Sequence, residues 1–416
     1  MKLRYRLCLG LAVAAVLSVS GLSGKNKSGK KGHSDKTPVH LIGIIQIPGN
    51  PVTSSDIVWV DAPTNRLFFA ERANFAVDIL DVKKNAFVGR VTGFAGPNAL
   101  IPPPPNGQGP NGVFVAGDKL WAGDGNSTLR VADVNPTSPN YLKITHSIST
   151  ALPECDTATS HHCDRVDEIG YDPADHITLA SNNQPNSATA PFGRIDPYAS
   201  FVDAKTYKVL GHVTFTGATG IEQPLWVPAL HRFLLTVVGY KDKGGSNRGF
   251  GEIAIINAKT MKVEKNYSPG DCRTSGEVLG TNNHLLVSCG RAVIVNVLTG
   301  QVENRIAQIG GGDEVWFNSG DGLFYVTAGD SSAPPVPSLG LIDAETGTWL
   351  QNVPNPGARQ AVGLPSNKHV FTPIVMTAAQ IANPDTDHTA CAQFGVKGHG
   401  CVAVFAHAGE GEEKVK

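Results

Sequence analysis

Carboxylates and amides recur at matching places along the chain, each just ahead of an apolar run: Asp56, Asn111, Asp167, Gln223, Asp313 and Gln360, with Gly276 in the same slot. Beside them stand Glu168, Glu222, Glu277, Glu314 and Arg359. Gathered by folding, these groups would make a strongly acidic site. Carboxylates at close quarters repel, so they hold protons or invite a cation. Oxygen donors of this kind suit Ca²⁺ or Mg²⁺. A structural use competes with that reading: the same side chains can bond backbone groups at strand starts around a water-filled channel. The candidate ligand-binding set is Asp56, Asn111, Asp167, Glu168, Glu277, Glu314 and Arg359.

Other reactive residues are less organised. His161 and His162 with Asp164 could hold a transition metal, although adjacent histidines in a loop are usually solvated. His176, His284 and His369 recur just before a second apolar run, where Arg66, Lys119 and Arg232 occupy the same slot; a turn role fits them. No haem-attachment, G-x-S-x-G, Walker or dinucleotide-binding glycine pattern is present, so neither haem nor a nucleotide is expected as cofactor.

The acidic positions open a repeat. An apolar strand, a short turn and a second apolar strand recur seven times, at 56–71, 111–124, 167–181, 223–237, 276–289, 313–327 and 360–374. After six copies a third strand ends in Asp81, Asp133, Asp203, Asn257, Asn296 or Asp343, residues that bond their own turn backbone. A fourth, alternating strand follows, as at 85–93, 207–216 and 300–308. Four antiparallel strands repeated seven times predict an all-β, seven-bladed β-propeller. The seventh copy has a third strand at 401–409 and no fourth. The apolar segment 39–48 is expected to supply it and so close the ring without an open edge. The propeller then spans 38–409 as a single domain, followed by a charged tail, 410–416.

In such a ring the loops joining strands two–three and four–one share one face. Here they hold the long insertions, 94–110, 150–166, 183–198, 239–249, 328–337 and 375–399. Binding is expected on that upper face, and the inner strands begin there, which places the acidic residues around the channel mouth. Six cysteines follow Cys8, and fifteen pairings are possible. Local pairing, 155–163, 272–289 and 391–401, suits the predicted hairpins and loops, each pair closing a short loop.

Lys2, Arg4 and Arg6 precede an apolar run and then small residues, so 1–20 reads as a secretory signal peptide. Residues 21–37 read as a flexible Lys/Gly/Ser tail. The chain carries 35 Lys+Arg against 36 Asp+Glu and is 41% hydrophobic, which excludes disorder over most of its length. Without the leader and tail, 27 bases face 35 acids, and so acidic a body argues against nucleic-acid binding. The mature protein is expected to be secreted or periplasmic, not membrane-embedded, and monomeric. Its expected partner at the upper face is a small molecule, a glycan or another protein.

Residues 110–113 and 120–126 resemble repeats of the NHL and gluconolactonase/senescence-marker propellers. Glu222-Gln223-Pro224-Leu225-Trp226 resembles the lactonase family's Glu-x-Pro-hydrophobic-Trp segment. That resemblance implies one divalent metal held by Glu222, Asn111 and Asp313, or Asp167 in place of Asp313, with the Asp also serving as base for lactone hydrolysis. The family has six blades against the seven counted here. Segments 342–353 and 202–213 look like the YVTN-type seven-bladed repeats of exported bacterial proteins. The sequence therefore supports an exported binding propeller first and a metal-dependent, lactonase-type hydrolase second.

Overall fold

The computed structural model describes residues 34–97, 108–153, 165–183, 195–240, 249–355 and 360–409. All lie in one compact unit, 33–416. Its strands form seven four-stranded antiparallel sheets. The first strands of blades 1 to 7 are Ser55–Asp61, Val113–Ala116, Val166–Asp172, Ala218–Val227, Glu277–Leu279, Val315–Asn318 and Val362–Gly363. Each touches the first strand of the next blade, and Val362–Gly363 touches Ser55–Asp61, so the circuit closes.

The core follows from strand periodicity. Successive side chains point to opposite faces of a sheet, so each blade feeds the two neighbouring gaps. In blade 1, Phe68 and Ala70 pack toward blade 2, whereas Leu67 and Phe69 pack toward blade 7. Among the described residues seven large apolar clusters result, each filled mainly from two consecutive blades, with a small eighth around Tyr198.

The predicted clasp is present. Val39–Gln46 pairs antiparallel with Cys401–His407 as the outer strand of blade 7. Ordered contacts begin earlier than the expected boundary at 38. Ser34 Oγ donates to Asp343, the Asp35 N–H donates to Asp321 O, and Lys368 lies 2.8 Å from Asp35. His407 Nδ1 donates to Thr37 O at 2.9 Å. Residues 34–37 therefore belong to the fold and not to the flexible tail.

The turn chemistry is also as expected. Asp81 Oδ1 accepts from Lys83 and Lys84 N–H, and Asp203, Asn257, Asn296 and Asp343 repeat the pattern. His176 occupies a lower turn with φ 58°. The sequence reading contained no helix. The long loop before Cys401 nonetheless carries two short ones, Ala378–Ala382 and Ala390–Gln393, the first closed by a capping box of Thr377 and Gln380. Disulfides join Cys272 to Cys289 and Cys391 to Cys401. The expected pair 155–163 lies outside the described residues, as do residues 1–20 and His161, His162 and Asp164. No helix among the described residues is long and apolar enough to cross a membrane.

Candidate functional site in the central channel

The acidic residues sit where the inner strands begin, and several sit on bulges. Pairing slips in register between Ser55 and Val58, between Val166 and Ile169, and between Ile221 and Pro224. These irregularities fall at Asp56, at Asp167–Glu168 and at Glu222–Gln223. A bulge leaves residues out of the ladder and re-aims their side chains.

The amides do structural work, as the competing reading anticipates. Gln360 Oε1 accepts from Val58 N–H at 2.9 Å, and Gln223 Oε1 accepts from Glu277 N–H at 2.7 Å, each stitching adjacent blades. Asn111 Nδ2 donates to Val166 O at 2.7 Å. Gly112 and Gly276 donate their N–H groups to Asp167 O and Asp313 O across the next blade boundary, where a Cβ would collide with the accepting carbonyl.

The acidic set is not an open, water-filled rim. Asp167, Glu168, Glu277 and Glu314 are all buried, and only Asp313 is exposed. Two arginines that the sequence reading missed enter the cluster. Arg72 pairs with Asp56 and donates to Asn111 Oδ1 at 2.7 Å. Arg165 forks onto Asp167 at 2.8 and 3.2 Å, and Asn183 donates to the same carboxylate. Arg72 directly follows the second strand of blade 1, and Arg165 lies two residues ahead of Asp167. Arg165 was visible as a base beside an acidic strand start, whereas Arg72 is sixteen residues from Asp56 and meets it only through the fold.

Burial and neighbouring charge raise several of the remaining carboxyl groups above their ordinary range. Burial, then the charge of Glu314, pushes Glu168 well above the usual carboxylate range. Burial, with the charges of Asp313, Glu222 and Asp56, raises Glu314 well above that range, against a hydrogen bond to Glu168 that lowers it. Glu222, half-buried, is raised by desolvation and by Asp167, Glu168 and Asp313. Burial lifts Asp56 to about 7 against the pull of Arg72. Asp56, Asp167, Glu168, Glu222, Asp313 and Glu314 thus form one electrostatic cluster, with Asn111 bonded into it through Arg72. Arg359 lies outside the described residues.

Glu277 stands apart. It is fully buried, neither carboxylate oxygen has a hydrogen-bond partner among the described residues, and burial alone raises its pKa. It lines a cavity of about 410 Å³ that runs along the inner strands of blades 1 to 6 as far as Pro173 in a lower turn. Most of the wall is apolar, and Trp59, Phe114, Tyr171, Trp226, Trp316 and Phe317 contribute to it. The rings interlock across blades: Trp316 meets Trp59 at 5.4 Å, Trp59 meets Phe114 at 6.4 Å, and Phe114 stacks on Tyr171 at 5.5 Å. Trp59, Phe114, Trp226 and Trp316 each lie three residues after the acidic or amide position of their blade. That periodic aromatic signal was legible in the sequence and was overlooked.

The donor set does not fit the divalent metal that the lactonase resemblance implies. Asn111 Oδ1 already accepts from Arg72, and Asp167 is held by Arg165. Among the described residues, no group of three or more His, Cys, Asp or Glu side chains is arranged to hold a metal ion.

A chain in the crystal structure of a mitotic checkpoint complex is similar in fold, with a TM-score of 0.53 and 11% identity over 89% of this chain and 96% of that one. At that identity the likeness speaks for the propeller fold alone, and a fold names no function. No protein-family model matches the chain, and neither does any curated protein sequence.

Proposed function

We propose that this is an exported binding propeller that takes a small molecule in its central channel. The observation that carries the reading is the aromatic cavity of about 410 Å³, within the size range of small-molecule sites, next to a buried carboxylate with no partner. Such sites are mostly apolar with a few placed polar groups. The wall here is poor in the hydrogen-bonding groups that a glycan needs, which favours a compact apolar ligand. Export is supported by the leader-like first twenty residues and by the two disulfides, which belong in an oxidising compartment. The metal-dependent hydrolase is the weaker reading, because Asn111 Oδ1 and Asp167 in its ligand set already accept from Arg72 and Arg165.

The test is a fragment screen by thermal shift and tryptophan fluorescence on the full-length protein and on Leu279→Trp, which crowds the cavity. Hits that disappear in Leu279→Trp support channel binding. Hits retained unchanged in that variant, or no hits at all, would overturn it.

A further inference from the structure

We propose that the channel's ligand is an organic cation, an amine or quaternary ammonium carried on an apolar or aromatic body, with its charged end at Glu277 and its body against Trp59, Trp226 and Trp316. This rests on the reading of the channel as the binding site and names the chemistry the site selects.

Three features of the wall decide the charge. First, Glu277 is fully buried and both its oxygens lack a partner. An unpaired buried carboxyl group is costly, and a cation delivered by a ligand relieves that cost. Second, among the described residues that line the cavity there is no lysine, arginine or histidine, so none of them supplies a counter-charge. Third, the ring faces favour positive charge. Aromatic faces carry negative potential, and cations sit over tryptophan in preference to other rings. An anion would meet Glu277 and the negative ring faces. A bare metal ion is poorly served too, since hard cations need six or more oxygens and the cavity has one carboxylate in an apolar wall.

A neutral apolar molecule would fill the same volume and leave Glu277 unpaired. The distinction is therefore one of charge at constant shape, and it can be measured. The probes are benzyltrimethylammonium as cation, 2-phenylethanol as neutral aromatic and 3-phenylpropanoate as anion. Each is titrated by calorimetry and tryptophan fluorescence into the full-length protein and into Glu277→Gln, which keeps the side chain's shape. Benzyltrimethylammonium is expected to bind at least about tenfold more tightly than 2-phenylethanol, which is about 1.4 kcal/mol, and 3-phenylpropanoate to bind least. Glu277→Gln should remove that advantage and leave the affinity for 2-phenylethanol as it was. Equal binding of cation and alcohol to the wild type, or an unchanged cation affinity in Glu277→Gln, overturns the cation inference while the channel remains a binding site. If none of the three aromatic probes binds at millimolar concentration, both the inference and the channel reading fall.

Discussion

Replacing Glu277 with glutamine should make the protein more stable, and more so as pH rises. The carboxyl group is fully buried with no partner, and burial holds its folded pKa well above the ordinary value. The sign follows from linkage. A carboxylate raised in the folded state binds its proton more tightly there than in the unfolded chain. Stability is therefore retained at acid pH and lost as pH climbs from the unfolded value, about 4.3, toward the folded one. Through that window the wild type loses about 1.4 kcal/mol per pH unit that Glu277→Gln does not lose. With about 2.1 cal/mol/K of unfolding entropy per residue over roughly 380 residues, 1 kcal/mol moves Tm by about 1.3 °C. The two proteins should melt close together at pH 4 and separate by about 2 °C for each unit that pH climbs through that window. Glu168, Glu222 and Glu314 titrate in both proteins and cancel in the difference. Thermal melts followed by circular dichroism at four pH values make the comparison. A Tm difference that stays flat with pH would show that the Glu277 carboxylate is solvated or paired, and the argument for an unmet charge in the channel would fail.

Arg72→Met leaves Asp56 and Asn111 without their cation, and breaking a buried pair of this kind should cost about 3–5 kcal/mol; adding Asp56→Asn should restore part of it, as read from chemical denaturation. Removing Cys272–Cys289 by a double serine substitution should cost about 3 kcal/mol for a 17-residue loop, and reductant acting on the wild type should cost no less. Burial works against a charged His407, but Asp321, the Thr37 carbonyl and Asp35 raise its pKa overall. Its stabilising effect should then be full below about pH 6.5 and fade as pH rises through the folded value, so the stability gap between wild type and His407→Gln should narrow from pH 6 to pH 9. Deleting residues 34–46 removes the outer strand of blade 7 and exposes an edge, which should appear as oligomers in size-exclusion chromatography.

The ring was legible because its signals are local and repeated. Every third strand that ends in Asp or Asn does so for a turn that bonds its own backbone, and Asp81, Asp203 and Asp343 make those bonds. The clasp was legible because an apolar segment at 39–48 had no partner nearby in sequence. The helices before Cys401 were not, since four- and five-residue helices are too short to show a period. The extra docked residues, 34–37, sit in a stretch whose composition reads as linker; what holds them is His407 and Asp321, more than 280 positions away.

The candidate site divides along the same line. Which residues start the inner strands can be read from the repeat, and so can the aromatic three places on. How their charges are settled cannot, because it depends on which blades face one another once the circuit is closed. Asp56 and Asn111 look like equal members of an acidic rim, yet Arg72 reaches both and turns them into an ion pair and its support. Asp167 is neutralised from two residues away by Arg165. Glu277 has the same place in its blade as Glu314, but Glu314 is hydrogen-bonded to Glu168 whereas Glu277 lines a mostly apolar wall. In a ring where most buried acids have found a cation, an amide or another acid, the one that has found none beside a cavity of ligand size is the group that an incoming molecule would have to satisfy.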